Sequence, residues 1–189
     1  MLKFKLIVPT KEYEKKAVEY IDEFINNNSD INGDGGLALY IKNKSYIEWL
    51  SYLEDNKIKE KVEPNNVPRT TYFFIREEDD KIIGMVNIRH YLNDEYFEHI
   101  GHIGYSIRPT ERRKGYNKIN LFLALEKCDE LDLDKVLLAA NDDNIGSIKT
   151  ILSLSGVLEN SIIDPIEKVP MGRYWIYVKK AIKEFKFNN

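Results

Sequence analysis

The period at which apolar residues recur changes along this chain, and each change marks an element. Residues 2–8 form a short apolar run stopped by Pro9 and Thr10, which predicts a first strand. Over 11–26, Tyr13, Ala17, Tyr20, Ile21 and Phe24 recur at helical spacing and predict a helix with one inward face. Residues 27–36 are Asn, Asp, Ser and Gly for the most part, a loop. Residues 45–58 return to helical spacing, with Tyr46, Trp49, Leu50 and Leu53 on one side. The charged stretch 59–69, with Pro64 and Pro68, is a connection.

The second half of the chain alternates between the two periods. Residues 70–75 and 81–89 predict two antiparallel strands joined at Glu77-Glu78-Asp79-Asp80, and 99–108 predicts the next strand. A helix follows over 116–131, with Leu121, Ala124, Leu125, Cys128 and Leu131 sharing a face. Residues 135–140 read as a buried strand, 145–154 as a helix, and 157–163 and 174–179 as closing strands. There is no internal repeat and no low-complexity tract. Hairpin strands followed by strand–helix–strand units predict an α/β (α+β) fold, a mixed sheet with helices on both faces.

Composition narrows the class further. A length of 189 residues suits one domain, 1–189. With 43% hydrophobic and 31% charged residues, the composition is that of a soluble globular chain. No run approaches the ~20 apolar residues of a membrane helix, so no membrane partner is expected. The apolar part of the first nine residues is too short for a secretory signal. One cysteine, Cys128, excludes an intramolecular disulfide and suits a reducing, cytoplasmic setting. A net charge of −3 offers no general field for nucleic acid. The oligomeric state is left open, with a homodimer among the states allowed.

Against that acidic background one basic cluster stands out: Arg108, Arg112, Arg113, Lys114 and Lys118. It follows the strand pattern His102-Ile103-Gly104-Tyr105-Ser106-Ile107 and precedes a helix, with Gly115 between. Unpaired N–H groups at a helix start carry partial positive charge and bind phosphate. Gly115 allows close backbone approach, and the basic side chains add charge-assisted donors. The site is suited to a small polyanion.

The spacing Arg112-x-x-Gly115-x-Asn117 resembles the Arg/Gln-x-x-Gly-x-Gly/Ala loop of the GNAT superfamily of N-acetyltransferases, which holds the pyrophosphate of acetyl-CoA. Asn117 departs from the usual Gly or Ala. Asn144 and Ser147 match the family's Asn-x-x-Ala/Ser at the helix beside the cofactor, and Gly156 lies near its closing Gly-Phe. The two segments span 99–157. The wording Gly101-His102-Ile103-Gly104-Tyr105-Ser106-Ile107-Arg108-Pro109 is similar to a bacterial subgroup of GNAT acetyltransferases. The resemblance implies two central parallel strands that splay apart around the pantetheine arm. The main chain of Tyr105, Ser106 and Ile107 would bind that arm, and Arg112, Arg113, Lys114, Gly115, Tyr116, Asn117, Asn144 and Ser147 would hold the rest of the cofactor. Many relatives place a thiolate-protonating Tyr seven residues after the Asn, where this chain has Ile151.

Several other residues have an ordinary role beside a chemical one. Asp30-Ile31-Asn32-Gly33-Asp34-Gly35 resembles half of a calcium loop, but Ile41 stands where the bidentate Glu belongs. By family resemblance, this loop borders the acceptor and acts as a lid. His90, His99 and His102 lack metal-ligand spacing, so no metal is expected. His99 and His102 are candidate bases, with Glu98 a third candidate at the strand's entrance. Relatives place a base nine or eleven residues before the loop's first Arg, here Ile103 and Gly101. His99 shares that strand face, and His102 joins it only through a bulge. Arg173-Tyr174-Trp175 is a candidate acceptor lining, and Cys128 reads as core. The implied reaction is acetyl transfer from acetyl-CoA to a primary amine, on a small molecule or a protein N-terminus. The alternative is a non-catalytic CoA-binding or regulatory domain.

Overall fold

Burial decides which strands are central. β2 (Arg69–Arg76) and β3 (Lys81–Arg89) are apolar on both faces, which requires cover on both sides. They pair antiparallel between β1 (Phe4–Ile7) and β4 (Ile103–Ile107), giving the order β1-β2-β3-β4. A second antiparallel sheet runs β5-β7-β6, from β5 (Lys135–Asn141), β6 (Val157–Ile163) and β7 (Pro170–Tyr177). The computed structural model describes residues 2–165 and 167–185.

Helices cover both faces. α1 (Glu14–Asn26), α2 (Leu37–Asn43) and α3 (Tyr46–Asp55) lie on one. Ala17, Tyr20, Ile21 and Phe24 of α1 pack with Trp49 and Leu53 of α3 against Phe73, Ile75 and Met85. Ser45 caps α3 by accepting the Glu48 N–H at 3.2 Å. On the other face lie α4 (Tyr116–Glu130), α5 (Ile145–Leu152) and α6 (Val178–Glu184). Leu121, Ala124, Leu125 and Cys128 of α4 pack on Val86, Ile88, Ile103 and Val136. Burial pushes the Cys128 thiol up to about 12, as befits a core residue.

Among the described residues the two sheets are hydrogen-bonded to each other where β4 begins. There they are joined by one isolated bridge, Gly101 to Leu138, of antiparallel type. The His102 N–H donates to Leu137 O at 2.7 Å, and the Leu137 N–H donates to His102 Nδ1 at 2.9 Å. Beyond this clasp no ladder joins β4 to β5, so a gap separates the sheets.

Three elements differ from the sequence expectation. The strand predicted over 99–108 begins at Ile103, because Tyr96–Ile100 is a π-helical turn. Gly101 ends that turn at φ 79°, and a Cβ there would lie 2.4 Å from Leu137 O. Only glycine fits both constraints. β4 also pairs with β3 without a register shift, so it has no bulge to bring His102 onto the Ile103 face. Residues 178–179, expected to end a strand, instead open α6, and α2 was not anticipated.

Candidate active site

The open end of the gap is the loop between β4 and α4. Arg108 leaves β4 buried, donating to Glu23 Oε2 at 2.7 Å and Ile82 O at 3.0 Å. Its charge is therefore spent inside the protein, against the expectation from the basic cluster. Glu111 is also buried and accepts from Lys114 at 2.8 Å, Arg76 at 3.2 Å and Lys81 at 3.4 Å. Burial alone would raise the Glu111 carboxyl, but these cations hold it below its ordinary value. Arg112 folds back, donating through Nε to Ile107 O at 3.0 Å and through a terminal nitrogen to Ser29 Oγ at 2.8 Å. Lys118 stacks on Phe185, 4.4 Å from the ring centroid. Among the described residues Arg113 is the loop cation without a partner, and its backbone is left-handed at φ 61°.

The main chain of the loop is arranged the opposite way. Gly115 precedes α4 at φ 79°, with nothing within 4 Å of a Cβ built on it. Among the described residues, the amides of 114–117 find no protein acceptor. The sequence thus forms a cradle of unpaired N–H groups at a helix start, open to a ligand. Tyr116 contributes only its amide, because its ring packs on Phe4 at 4.9 Å.

Strand register selects which β4 groups face the gap. The Arg108 N–H donates to Ile83 O, and His102 O accepts from the Arg89 N–H. With a period of two, Gly104 and Ser106 also face β3, while Ile103, Tyr105 and Ile107 face the gap. Ser106 is therefore misplaced by the sequence expectation: its main chain is turned to β3 and its hydroxyl lies 3.0 Å from Tyr20 OH. Ile107 O is taken by Arg112.

Above Tyr105 the two helix starts converge. Asn144 caps α5 by accepting the Ser147 N–H at 3.1 Å. Asn117 Nδ2 donates to Thr150 Oγ1 at 3.3 Å, joining α4 to α5. Tyr105 OH and Asn117 Oδ1 are both buried without a hydrogen bond. Burial pushes the Tyr105 phenol up to about 12; the Ser147 and Asn117 side chains nearby pull the other way but do not align to bond it. A buried, unpaired hydroxyl costs about 1–3 kcal/mol, which a ligand at this place would offset. Ile151 offers no such group: it is 1% exposed and turned to Gly156.

The closed end of the gap gathers the candidate bases. His102 is buried, and burial, then the neighbouring Arg89 cation, pulls it down to about 4. With Nδ1 accepting from Leu137, the neutral ring carries its proton on Nε2. His99 and Glu98 sit in the π-helical turn, not on β4. His99 Nε2 lies 3.3 Å from Glu98 Oε2, and its Nδ1 is buried without a partner. Arg173 lies beside this turn, donating to Phe97 O at 2.8 Å.

The loop expected to act as a lid is docked. A Cβ on Gly33 would stand 2.3 Å from Gly104 O, so only glycine permits this approach to β4. The Asp34 carboxylate caps α2, accepting from the Gly36 and Ala38 N–H groups at 3.1 and 2.9 Å. Among the described residues no group of three His, Cys, Asp or Glu is placed to hold a metal, and no helix is long and apolar enough to cross a membrane. A cleft of about 340 Å³ lies at the β2–β3 turn, lined by Lys16, Asp80, Lys81 and Arg108, and not at the gap.

Comparison with known proteins bears on the fold. The structure is similar to a ribosomal-protein alanine acetyltransferase from Vibrio fischeri, with 16% identity, a TM-score of 0.64, and 93% of this chain and 92% of that one covered. It is similar to the spermidine/spermine N-acetyltransferase SpeG from Vibrio cholerae, with 15% identity, a TM-score of 0.63, and 96% and 97% covered. The microcin self-immunity acetyltransferase MccE, solved with acetyl-CoA and AMP, has 17% identity, a TM-score of 0.64, and 93% and 92% covered. These likenesses establish the fold. No curated protein sequence matches the chain. The model of the acetyltransferase (GNAT) family matches residues 38–154, more than half of the chain, and the chain belongs to that family of acetyltransferases.

Proposed function

We propose that this chain, acting as one domain in the cytoplasm, transfers the acetyl group of acetyl-CoA to a primary amine. The observation that carries the reading is the cradle at 114–117: unpaired amides over open space at Gly115, at the mouth of the gap. Those amides, with Arg113, would hold the pyrophosphate. The pantetheine arm would enter the gap along the free main chain of Tyr105 and complete Tyr105 OH and Asn117 Oδ1. Ser147 borders the same place. Acetyl-CoA supplies the activated acyl group.

The protein's own part is positioning and proton handling. Holding both reactants in line removes much of the entropic barrier. His102 is a poor base, since Nδ1 is already an acceptor and Nε2 bears the proton. His99 is better placed. With its proton on Nε2, 3.3 Å from Glu98 Oε2, the lone pair of the buried Nδ1 would be free to take the amine's proton, directly or through water. A β4 amide facing the gap, that of Tyr105, would stabilise the oxyanion.

Two neighbours are named for a ribosomal-protein alanine and for spermidine and spermine, so both protein and small-molecule amines belong in the assay. Acetyl-CoA should release free thiol in the presence of a suitable amine from such a panel. The buried Ile151, at the position of the missing acid, favours the second reading of a CoA-binding domain without turnover. Tight CoA binding with no thiol release across the panel would select that second reading.

A further inference from the structure

The face of the sheets that lies toward α1 and α3 has an uncompensated charge at the closed end of the gap. Arg69 and Arg89 are directly opposite in the β2–β3 register, where two cations repel. Neither forms an ion pair among the described residues. Arg69 is held by Asn66 Oδ1 at 3.0 Å and Tyr52 OH at 2.6 Å. Arg89 donates to Gly101 O at 3.1 Å and stacks on Tyr96 at 4.7 Å. Its Nε is buried with no partner. Burial, with Arg69 close by, pulls this guanidinium down to about 10, which leaves it charged at neutral pH.

A second arginine shows the same defect. Arg173 is 6% exposed and stacks on Phe97 at 4.9 Å, the ring next to Tyr96 in the same turn. It pairs with Glu159 at 2.8 Å, yet its Nε is also buried and unpartnered. Alternation places both arginines on one side. Met85, two pleats before Arg89, packs with α1 and α3, whereas Ile88 packs with α4. Tyr174 packs with α4, so Arg173 points the other way. His99, the proposed base, belongs to the turn that carries both aromatic rings. Buried donors without acceptors are costly unless a ligand completes them.

We propose that the amine acceptor carries a carboxylate, and that the Nε–H groups of Arg89 and Arg173 receive it while the amine sits at His99. This rests on the reading of the chain as an amine acetyltransferase, and it names the acceptor class. A carboxylate accepts from two donors at once, which suits two orphaned Nε–H groups.

The test compares lysine with cadaverine, which share a primary amine and differ by one carboxylate. With the full-length protein and acetyl-CoA, kcat/KM for lysine should exceed that for cadaverine at least tenfold. Arg89→Met should collapse that ratio toward one while leaving CoA affinity unchanged. Cadaverine or spermidine used as well as lysine would overturn the proposal, as would a ratio unmoved by both Arg89→Met and Arg173→Met. Should the variants fail to fold, glutarate, a dicarboxylate without an amine, decides on the wild type. It should bind the CoA complex by calorimetry and compete with the amine but not with acetyl-CoA. A CoA complex that binds no glutarate overturns the proposal. Failure of the acetyltransferase reading looks different: CoA binds, glutarate binds, and no amine releases thiol.

Discussion

The two ends of the gap between β4 and β5 are built in opposite ways. At the open end, among the described residues, the loop's cations other than Arg113 are satisfied within the protein. Arg108 is paired with Glu23, Lys114 with Glu111, and Arg112 with Ile107 O, while the main chain at 114–117 is left unpaired. At the closed end the main chain is committed, through the Gly101–Leu138 bridge and the His102 clasp, and the side chains of Arg89, Arg173 and His99 hold orphaned nitrogens. Main-chain donors are fixed by the fold and suit what every reaction of a family shares, on the proposed reading a pyrophosphate. Side chains can change without altering the backbone, and they recognise what differs between substrates. On the proposed reading the cofactor belongs to one end and the acceptor's identity to the other.

The largest expected effect tests the closed end as a structural clasp. His102 is held neutral at about 4 in the folded protein, against about 6.5 for an ordinary histidine. Below pH 6.5 the unfolded chain takes up a proton that the folded chain refuses. Stability should fall by about 3 kcal/mol as pH drops from about 6.5 to about 4. His90, also lowered by burial, adds to the loss with the same sign. His102→Gln keeps an acceptor for the Leu137 N–H without titrating, so denaturant melts should show a flatter slope in that window. Acetyl transfer should survive this change, whereas His99→Gln should lower kcat and leave CoA affinity intact. A full loss of turnover in His102→Gln would exchange the roles of the two histidines.

Smaller effects sharpen the open end. Among the described residues Arg113 is the loop cation without a partner, and its φ of 61° suits glycine better than arginine. Arg113→Gly should weaken CoA about tenfold, the worth of a charge-assisted bond, with melting temperature unchanged or raised. Tyr105→Phe removes a hydroxyl that has no hydrogen-bond partner among the described residues. It should leave stability within about 0.5 kcal/mol and weaken CoA about fivefold, the worth of one neutral hydrogen bond. Lys114→Ala should change CoA affinity by a factor of about two or less, because its ammonium already serves Glu111 in a pair of low net worth. A larger loss for Lys114 than for Arg113 would mean that side chains, not main chain, dominate the cradle.

Much of this fold was legible in the sequence wherever one face of an element is apolar. Ala17, Tyr20, Ile21 and Phe24 announced α1, and Leu121, Ala124, Leu125 and Cys128 announced α4. The loop was legible because Gly115 follows a basic run between a strand and a helix. Three things were not. α2 is a single short helix capped by Asp34 from within a Gly-rich loop, so its start signal looked like more loop. The turn at Tyr96–Ile100 sits beside a strand and ends at Gly101, whose need for a positive φ and for contact with Leu137 O is set by a neighbour in space. The fate of each charge was hidden as well. A run of Arg and Lys does not show that Glu111 and Glu23, the latter more than eighty residues from Arg108, take up part of it.

The central claim is that the main chain around Gly115 holds CoA. Calorimetric titration of CoA into the wild type and Gly115→Val tests it most directly. A Cβ at Gly115 meets no protein atom within 4 Å, so the folded protein has room for valine, at some backbone strain from φ 79°. With a cooperative melt confirming the fold, the variant should bind CoA at least tenfold more weakly, roughly 1.4 kcal/mol, because the side chain occupies the space of the pyrophosphate. Equal affinity in both proteins, or no binding of CoA by the wild type, would contradict the account.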